Sequence, residues 1–202
     1  MEEKEPKAIV LDESPRRLID VEAAQSAVGD LLSALGFDWQ NDDHLSETPL
    51  RVVKSFQEQL SFEEVALTTF PNEGYDELVI AKDISFHSLC AHHLLPFEGV
   101  AHVGYIPDTR IIGLSKLARV VDLFAHRLQV QERITYQVAH WLQTNLQPKG
   151  VGVVIEAEHC CMTIRGVKKP GSAAITSTLL GSIRNDLKTR EEFLALIRGG
   201  VR

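Results

Sequence analysis

Cys90-Ala91-His92-His93 and, far along the chain, His159-Cys160-Cys161 gather all three cysteines beside three of the eight histidines. Soft thiolates and neutral imidazoles at such short spacing suit a divalent zinc ion. A tight loop can turn a thiolate and an imidazole inward, and a third ligand can arrive from a distant strand. Three protein ligands leave the fourth tetrahedral position open, which marks a catalytic rather than a structural site. His92 and His159, surplus to coordination, suit proton transfer beside the metal. The competing reading is packing, because a buried free cysteine behaves as a small hydrophobe. The joint clustering of every cysteine with histidine favours the metal. An odd cysteine count in a chain this long argues against a disulfide framework.

Two further stretches carry chemistry. Ser115-Lys116-Leu117-Ala118-Arg119 reads as the start of a helix, with Ser115 as its cap. Unpaired N–H groups, the helix dipole and two cations on one surface suit phosphate, and Arg165 joins them if the metal-bearing segments meet. The same pattern also describes a capped amphipathic helix with a solvated basic edge. Gln131-Glu132-Arg133 opens the next helix. Glu132 either serves the helix dipole or receives the adjacent N1–H and N2–H donors of a guanine edge. His44, His87, His102, His126 and His140 read as surface or satisfied core histidines, and Trp39 and Trp141 as packing residues.

The elements that must position these groups follow from periodicity. Residues 1–17, broken by Pro6 and Pro15, read as a mobile arm. Asp20 caps a helix carrying Val21, Ala24, Val28, Leu31, Leu32 and Leu35, which stops at Gly36. Thr48-Pro49 caps a second, with Leu50, Val53, Phe56 and Leu60 as its buried stripe. Residues 61–75 read as loop, and 76–86 and 99–106 as strands bracketing the first cluster. A turn at Pro107-Asp108-Thr109 leads to a helix burying Leu117, Val120, Val121, Phe124 and Leu128. Another, over about 130–147, buries Ile134, Val138, Trp141, Leu142 and Leu146. Val151–Glu158 is a strand delivering His159 and Cys161, and 162–166 and 173–183 continue as strand. Thr189-Arg190-Glu191-Glu192 reads as a capping box for a last helix ending near Gly199. This order predicts an α+β fold, with an antiparallel sheet backed by helices on one face.

A chain of 202 residues supports one core, and 44% hydrophobic with 24% charged residues is ordinary for a globular protein. No apolar stretch approaches a membrane span, and the charged N-terminus lacks signal-peptide character. These features predict a cytoplasmic, reducing location with thiolates available to metal. A net charge of −7 argues against nonspecific nucleic-acid binding but leaves room for a local basic pocket.

Taken in order, these segments resemble the GTP cyclohydrolase I family. The resemblance rests on Thr48-Pro49-Leu50-Arg51-Val52, Asp76-Glu77-Leu78-Val79-Ile80 and Cys90-Ala91-His92-His93-Leu94-Leu95-Pro96-Phe97. It continues through Gly113–Arg119, Gln129-Val130-Gln131-Glu132-Arg133, His159-Cys160-Cys161, Arg165-Gly166-Val167 and Thr189–Leu194. It spans nearly the whole chain from about residue 20.

The resemblance implies zinc-dependent conversion of GTP to 7,8-dihydroneopterin triphosphate with release of formate, the first step of pteridine and tetrahydrofolate biosynthesis. Cys90, His93 and Cys161 would hold zinc, and His92 and His159 would be the catalytic histidines. Ser115, Lys116, Arg119 and Arg165 would serve the ribose and triphosphate, with Arg51 reaching in from a neighbouring subunit. Gln131 and Glu132 would anchor guanine. The implied fold is the tunnelling fold, a four-stranded antiparallel sheet with helices on one side. It implies one domain over 18–202, with N-terminal helices at 18–62 and the core at 63–202. Two stacked pentamers would form a decamer with active sites between subunits.

Two residues depart from the family pattern: Ala91 replaces a usual Glu, and Cys160 a usual larger apolar residue. Neither removes an implied ligand, catalytic histidine or anchoring glutamate. The rival expectations are a zinc- and nucleotide-binding homologue with little turnover, and a tunnelling-fold enzyme for a related purine or pterin.

Overall fold

The computed structural model describes residues 19–61 and 68–199, and the arm expected over 1–17 lies outside them. The chain divides into two compact units between Ser61 and Phe62. The first holds α1 (Val21–Ala34) and α2 (Thr48–Leu60). In the second, β1 (Thr69–Pro71), β2 (Val79–Cys90), β3 (Pro96–Ile106) and β4 (Arg110–Ile112) precede α3 (Leu114–Ala125) and β5 (Leu128–Gln129). There follow α4 (Gln131–Leu146), β6 (Gly150–His159), α5 (Cys160–Thr163), β7 (Ala173–Leu180), α6 (Gly181–Asn185) and α7 (Leu187–Arg198).

In the first unit Asp20 caps α1 as expected, accepting from the Ala23 N–H at 3.0 Å. Gly36, at φ +89°, ends that helix. Trp39 packs on Gly29 of α1, where a Cβ would lie 2.7 Å from the indole. The second helix begins at Thr48 with Glu47 in the cap position, one residue earlier than expected. Its buried residues are Pro49 and Val53, whereas Leu50 is exposed.

The second unit is built on a sheet of order β5-β2-β3-β6-β7. Its four long strands are antiparallel neighbours, and the two-residue β5 adds a parallel fifth against Leu89 and Cys90. Alternation decides what each face meets. Ala101, Val103 and Tyr105 of β3 and Val151, Val153 and Ile155 of β6 enter the main core. There α3 covers β2, and α4 covers β6 and β7. Leu117, Val120, Val121, Phe124, Ile134, Val138 and Leu142 supply the helical half, much as their spacing predicts. Tyr105 is buried with its hydroxyl accepting from the Ile112 N–H.

The last helix departs from the one-sided expectation. Phe193 of α7 packs on the opposite face, where Cβ atoms at Gly104 and Gly152 would each come within 2.8 Å of its ring. Ile106, Val154, Ile183 and Ile197 complete this smaller cluster. Helices therefore cover both faces at that end of the sheet.

Several local boundaries also differ. Gly113, not Ser115, is the cap residue of α3, and that helix ends at Ala125, leaving Leu128 exposed in β5. Asp186 caps α7 through the Thr189 N–H, three residues before the expected capping box. Residues 162–166, expected as strand, instead finish the helical turn α5 and continue as a turn, and β7 stops at Leu180 because Gly181, at φ +57°, turns the chain into α6. Part of the expected loop over 61–75 pairs as β1 with β4.

Candidate active site

The first cluster sits on the reversal between β2 and β3. The Cys90 N–H donates to the Leu95 carbonyl, and the Cys90 carbonyl accepts from His93 and Leu94. Leu94 closes this turn at φ +55°, a conformation that disfavours a side chain and needs surrounding bonds to hold it. The compact turn brings three donors together: Cys90 Sγ lies 3.9 Å from His92 Nδ1 and 3.7 Å from His93 Nδ1. All three donor atoms lie within 4.8 Å of one another.

The second cluster reaches this turn through the sheet. β6 pairs with β3 along its length, placing His159 opposite Phe97. The His159 ring lies flat on Phe97, with centroids 4.4 Å apart and planes 5° from parallel. One helical turn then carries Cys161 against Cys90. Burial pushes the Cys161 thiol above its ordinary range, and the adjacent Cys90 thiol pushes it further. Two thiols crowded beside two imidazoles form a soft donor set suited to a zinc-like divalent ion. The three donors that lie within 4.8 Å of one another are Cys90, His92 and His93, and Cys161 joins them through the interaction of its thiol with Cys90.

Arg165, implied by the resemblance to serve phosphate, lies at the turn itself. Its Nη1 is 3.0 Å from His93 Nε2. Ala91 is exposed, and its N–H donates to the Gln129 carbonyl of β5 at 2.9 Å. The turn is therefore tied down by main chain at the position where the family usually has Glu. Cys160 is half-buried at the start of α5.

The start of α4 meets the same place. Gln131 Oε1 lies 2.8 Å from His159 Nε2, and the exposed Glu132 sits close enough to act on His159 electrostatically. Burial lowers the His159 pKa, and Glu132 partly opposes that shift.

Of the other phosphate-type residues, Ser115 and Lys116 lie elsewhere on the chain. Ser88, two residues before Cys90, donates to the carbonyl of Ala125, the last residue of α3. Ser115 is ten residues earlier on that helix, about 15 Å along its axis. Ser115 and Lys116 therefore begin the helix at the end away from this chain's own metal turn. Arg51 belongs to the first unit, where it pairs with Glu47 at 2.7 Å.

The remaining histidines behave as expected. His102 is buried with Nδ1 accepting from the Asp83 N–H, and the His87 ring lies 5.2 Å from that of His126, tilted by 42°. Phe97, which closes the matched Cys90–Phe97 segment without an assigned role, and Thr176, which has no sequence signal, shape the surroundings of His159. Only strand register brings them there.

The profile of a family described as GTP cyclohydrolase I matches residues 24–198. The chain is 50% identical over 181 residues to GTP cyclohydrolase 1 of Sulfurihydrogenibium sp., covering 89% of this chain and 96% of that protein. It is 51% identical over 187 residues to GTP cyclohydrolase 1 of Thermobifida fusca, covering 90% of each. Against GTP cyclohydrolase 1 of Aquifex aeolicus it is 50% identical over 182 residues, covering 90% of this chain and 98% of that one.

Proposed function

This chain belongs to the GTP cyclohydrolase I family, and on that premise we propose that it converts GTP and water to 7,8-dihydroneopterin triphosphate and formate. The observation that carries this reading is the convergence of both Cys-His clusters with Gln131 and Glu132 at the β2–β3 turn.

Cys90, His93 and Cys161 would hold zinc, leaving His92 and His159 to move protons. Zinc bound there supplies a Lewis acid that makes hydroxide available at neutral pH. Glu132 meets the two adjacent donors of the guanine edge with its two carboxylate oxygens. His92 delivers a proton to N7 as C8 is hydrated. Ring opening leaves C8 as a formamide on N7, a second water hydrolyses it to formate, and one water is lost again when the new ring closes. His159, with Ser115 near the sugar, moves protons while the ribose rearranges and its carbon closes onto the freed amine. Lys116, Arg119 and Arg165 hold the triphosphate, so the reacting atoms stay aligned through successive steps.

The separation of Ser115 and Lys116 from the metal turn along α3 supports a site assembled from different subunits. Ser115, Lys116 and Arg119 would then face the metal turn of a neighbour, and Arg51 would come from a neighbour as well. The four long antiparallel strands suit the tunnelling fold, and β7, paired on one side only among the described residues, leaves an edge for ring closure. The assembly proposed is a decamer of two pentamers. No helix among the described residues is long and apolar enough to cross a membrane. The three free cysteines fit the cytoplasm, where thiols stay reduced.

Incubating zinc-loaded protein with GTP should release formate and build pterin absorbance, and no product above a metal-stripped control would sink the reading. Glu132→Ala should lower kcat/KM for GTP about 10- to 100-fold, the effect of losing a charge-assisted contact of roughly 1.5–3 kcal/mol. Unchanged GTP kinetics would remove Glu132 from guanine recognition.

A further inference from the structure

Gln131 is 3% exposed at the first position of α4, and its side chain is fully committed within the protein. Its Nε2 lies 3.0 Å from the Ile155 carbonyl, 2.9 Å from the Ala174 carbonyl and 3.2 Å from Thr176 Oγ1. Main-chain carbonyls only accept, so this end of the amide must be the NH2 group. The reversed amide would set its oxygen against two carbonyl oxygens.

The hydroxyls fix their own roles in the same way. Thr135 donates to the Gln131 carbonyl at 2.9 Å, so the 2.6 Å contact between Thr135 and Thr176 uses the Thr176 hydrogen. Thr176 Oγ1 is then free to accept from Gln131. With the amide locked, Gln131 Oε1 faces His159 Nε2 at 2.8 Å. An amide oxygen only accepts, so His159 Nε2 carries the hydrogen. Stacking on Phe97 fixes the plane of the same ring.

We infer that Gln131 is a positioning residue for His159: it holds the imidazole in the tautomer with hydrogen on Nε2, so protons enter and leave at Nδ1. The inference rests on the reading that His159 moves protons in this reaction. It also takes Gln131 away from guanine and leaves base recognition to Glu132.

Nitrogen-15 NMR of histidine-labelled, zinc-loaded protein, at a pH where imidazoles are neutral, tests this directly. The His159 signals, assigned by their loss in His159→Gln, should show a protonated Nε2 and a bare Nδ1. The opposite tautomer in the parent protein would overturn the inference without any substitution at Gln131. Gln131→Met removes the acceptor while keeping the side-chain length, and should give a mixture of tautomers; an unchanged spectrum would overturn the assignment. The same variant should lower kcat roughly 10- to 100-fold with KM for GTP within about threefold. A raised KM with kcat preserved would instead make Gln131 a guanine contact. Thr176→Val loosens the amide without touching His159 and should lower kcat about threefold at unchanged KM; unchanged kcat would count against the network. Absence of any product from the parent protein would defeat the functional reading while leaving the tautomer result to stand separately.

Discussion

Cys161→Ser is expected to lose stoichiometric zinc and, with it, turnover by about 10³-fold or more, equivalent to roughly 4 kcal/mol of transition-state stabilisation. Burial and the neighbouring Cys90 thiol both oppose charge on Cys161, so two thiolates can share this place only around a cation. A serine hydroxyl of nearly the same size is a neutral, hard donor and cannot substitute. Cys161 is half-buried on a short helical turn, so the fold should survive the change. Metal analysis after gel filtration, together with formate release, measures both effects. Full zinc occupancy with full turnover would take Cys161 out of the ligand set. The third position would then fall to His92, whose Nδ1 is 3.9 Å from Cys90 Sγ.

The second large effect is on folding. Gly99 of β3 stands opposite Ala157 of β6 and Phe86 of β2. A Cβ there would lie 2.0 Å from the Glu156 carbonyl oxygen and 2.6 Å from Ala157 Cα. Both are main-chain atoms, so no rotamer change relieves the overlap and the two strands must part. Gly99→Ala should therefore cost at least ~3 kcal/mol or prevent folding, at the upper end of overpacking effects. Denaturant unfolding at fixed protein concentration checks this, and a parent-like midpoint would contradict it. Because Phe97 and His159 stack two residues away on the same strand pair, any folded variant should also lose activity.

Both the chemistry and the core positions were legible where residue type alone decides them. Cysteine beside histidine announces a metal donor set, and the 3.6-residue period of α3 and α4 marks their buried faces. Long-range register was not legible. Nothing local announces that Phe97 will lie under His159, or that Thr176 of β7 will complete the Gln131 network. Capping was misplaced for a different reason. Ser115 and Thr189 are favourable cap types, yet Gly113 and Asp186 sit where the chain changes direction, and geometry outweighed preference. The sidedness of the helices was hidden because Gly104 and Gly152 have no side chain to mark which face is covered. They are the space that Phe193 fills.

The two-residue strand β5 has a consequence out of proportion to its length. It pairs with Leu89 and Cys90 on one side of the reversal, and its Gln129 carbonyl holds the Ala91 N–H. One residue, Val130, then separates Gln129 from the first turn of α4, which carries Gln131 and Glu132. The thiol and the carboxylate are thus mounted on one short stretch of hydrogen-bonded main chain. The site behaves as a caliper with a fixed jaw: rotamers can adjust the tips, but the opening is set by the backbone. On the proposed function, selection among purines would become in part a measurement of length.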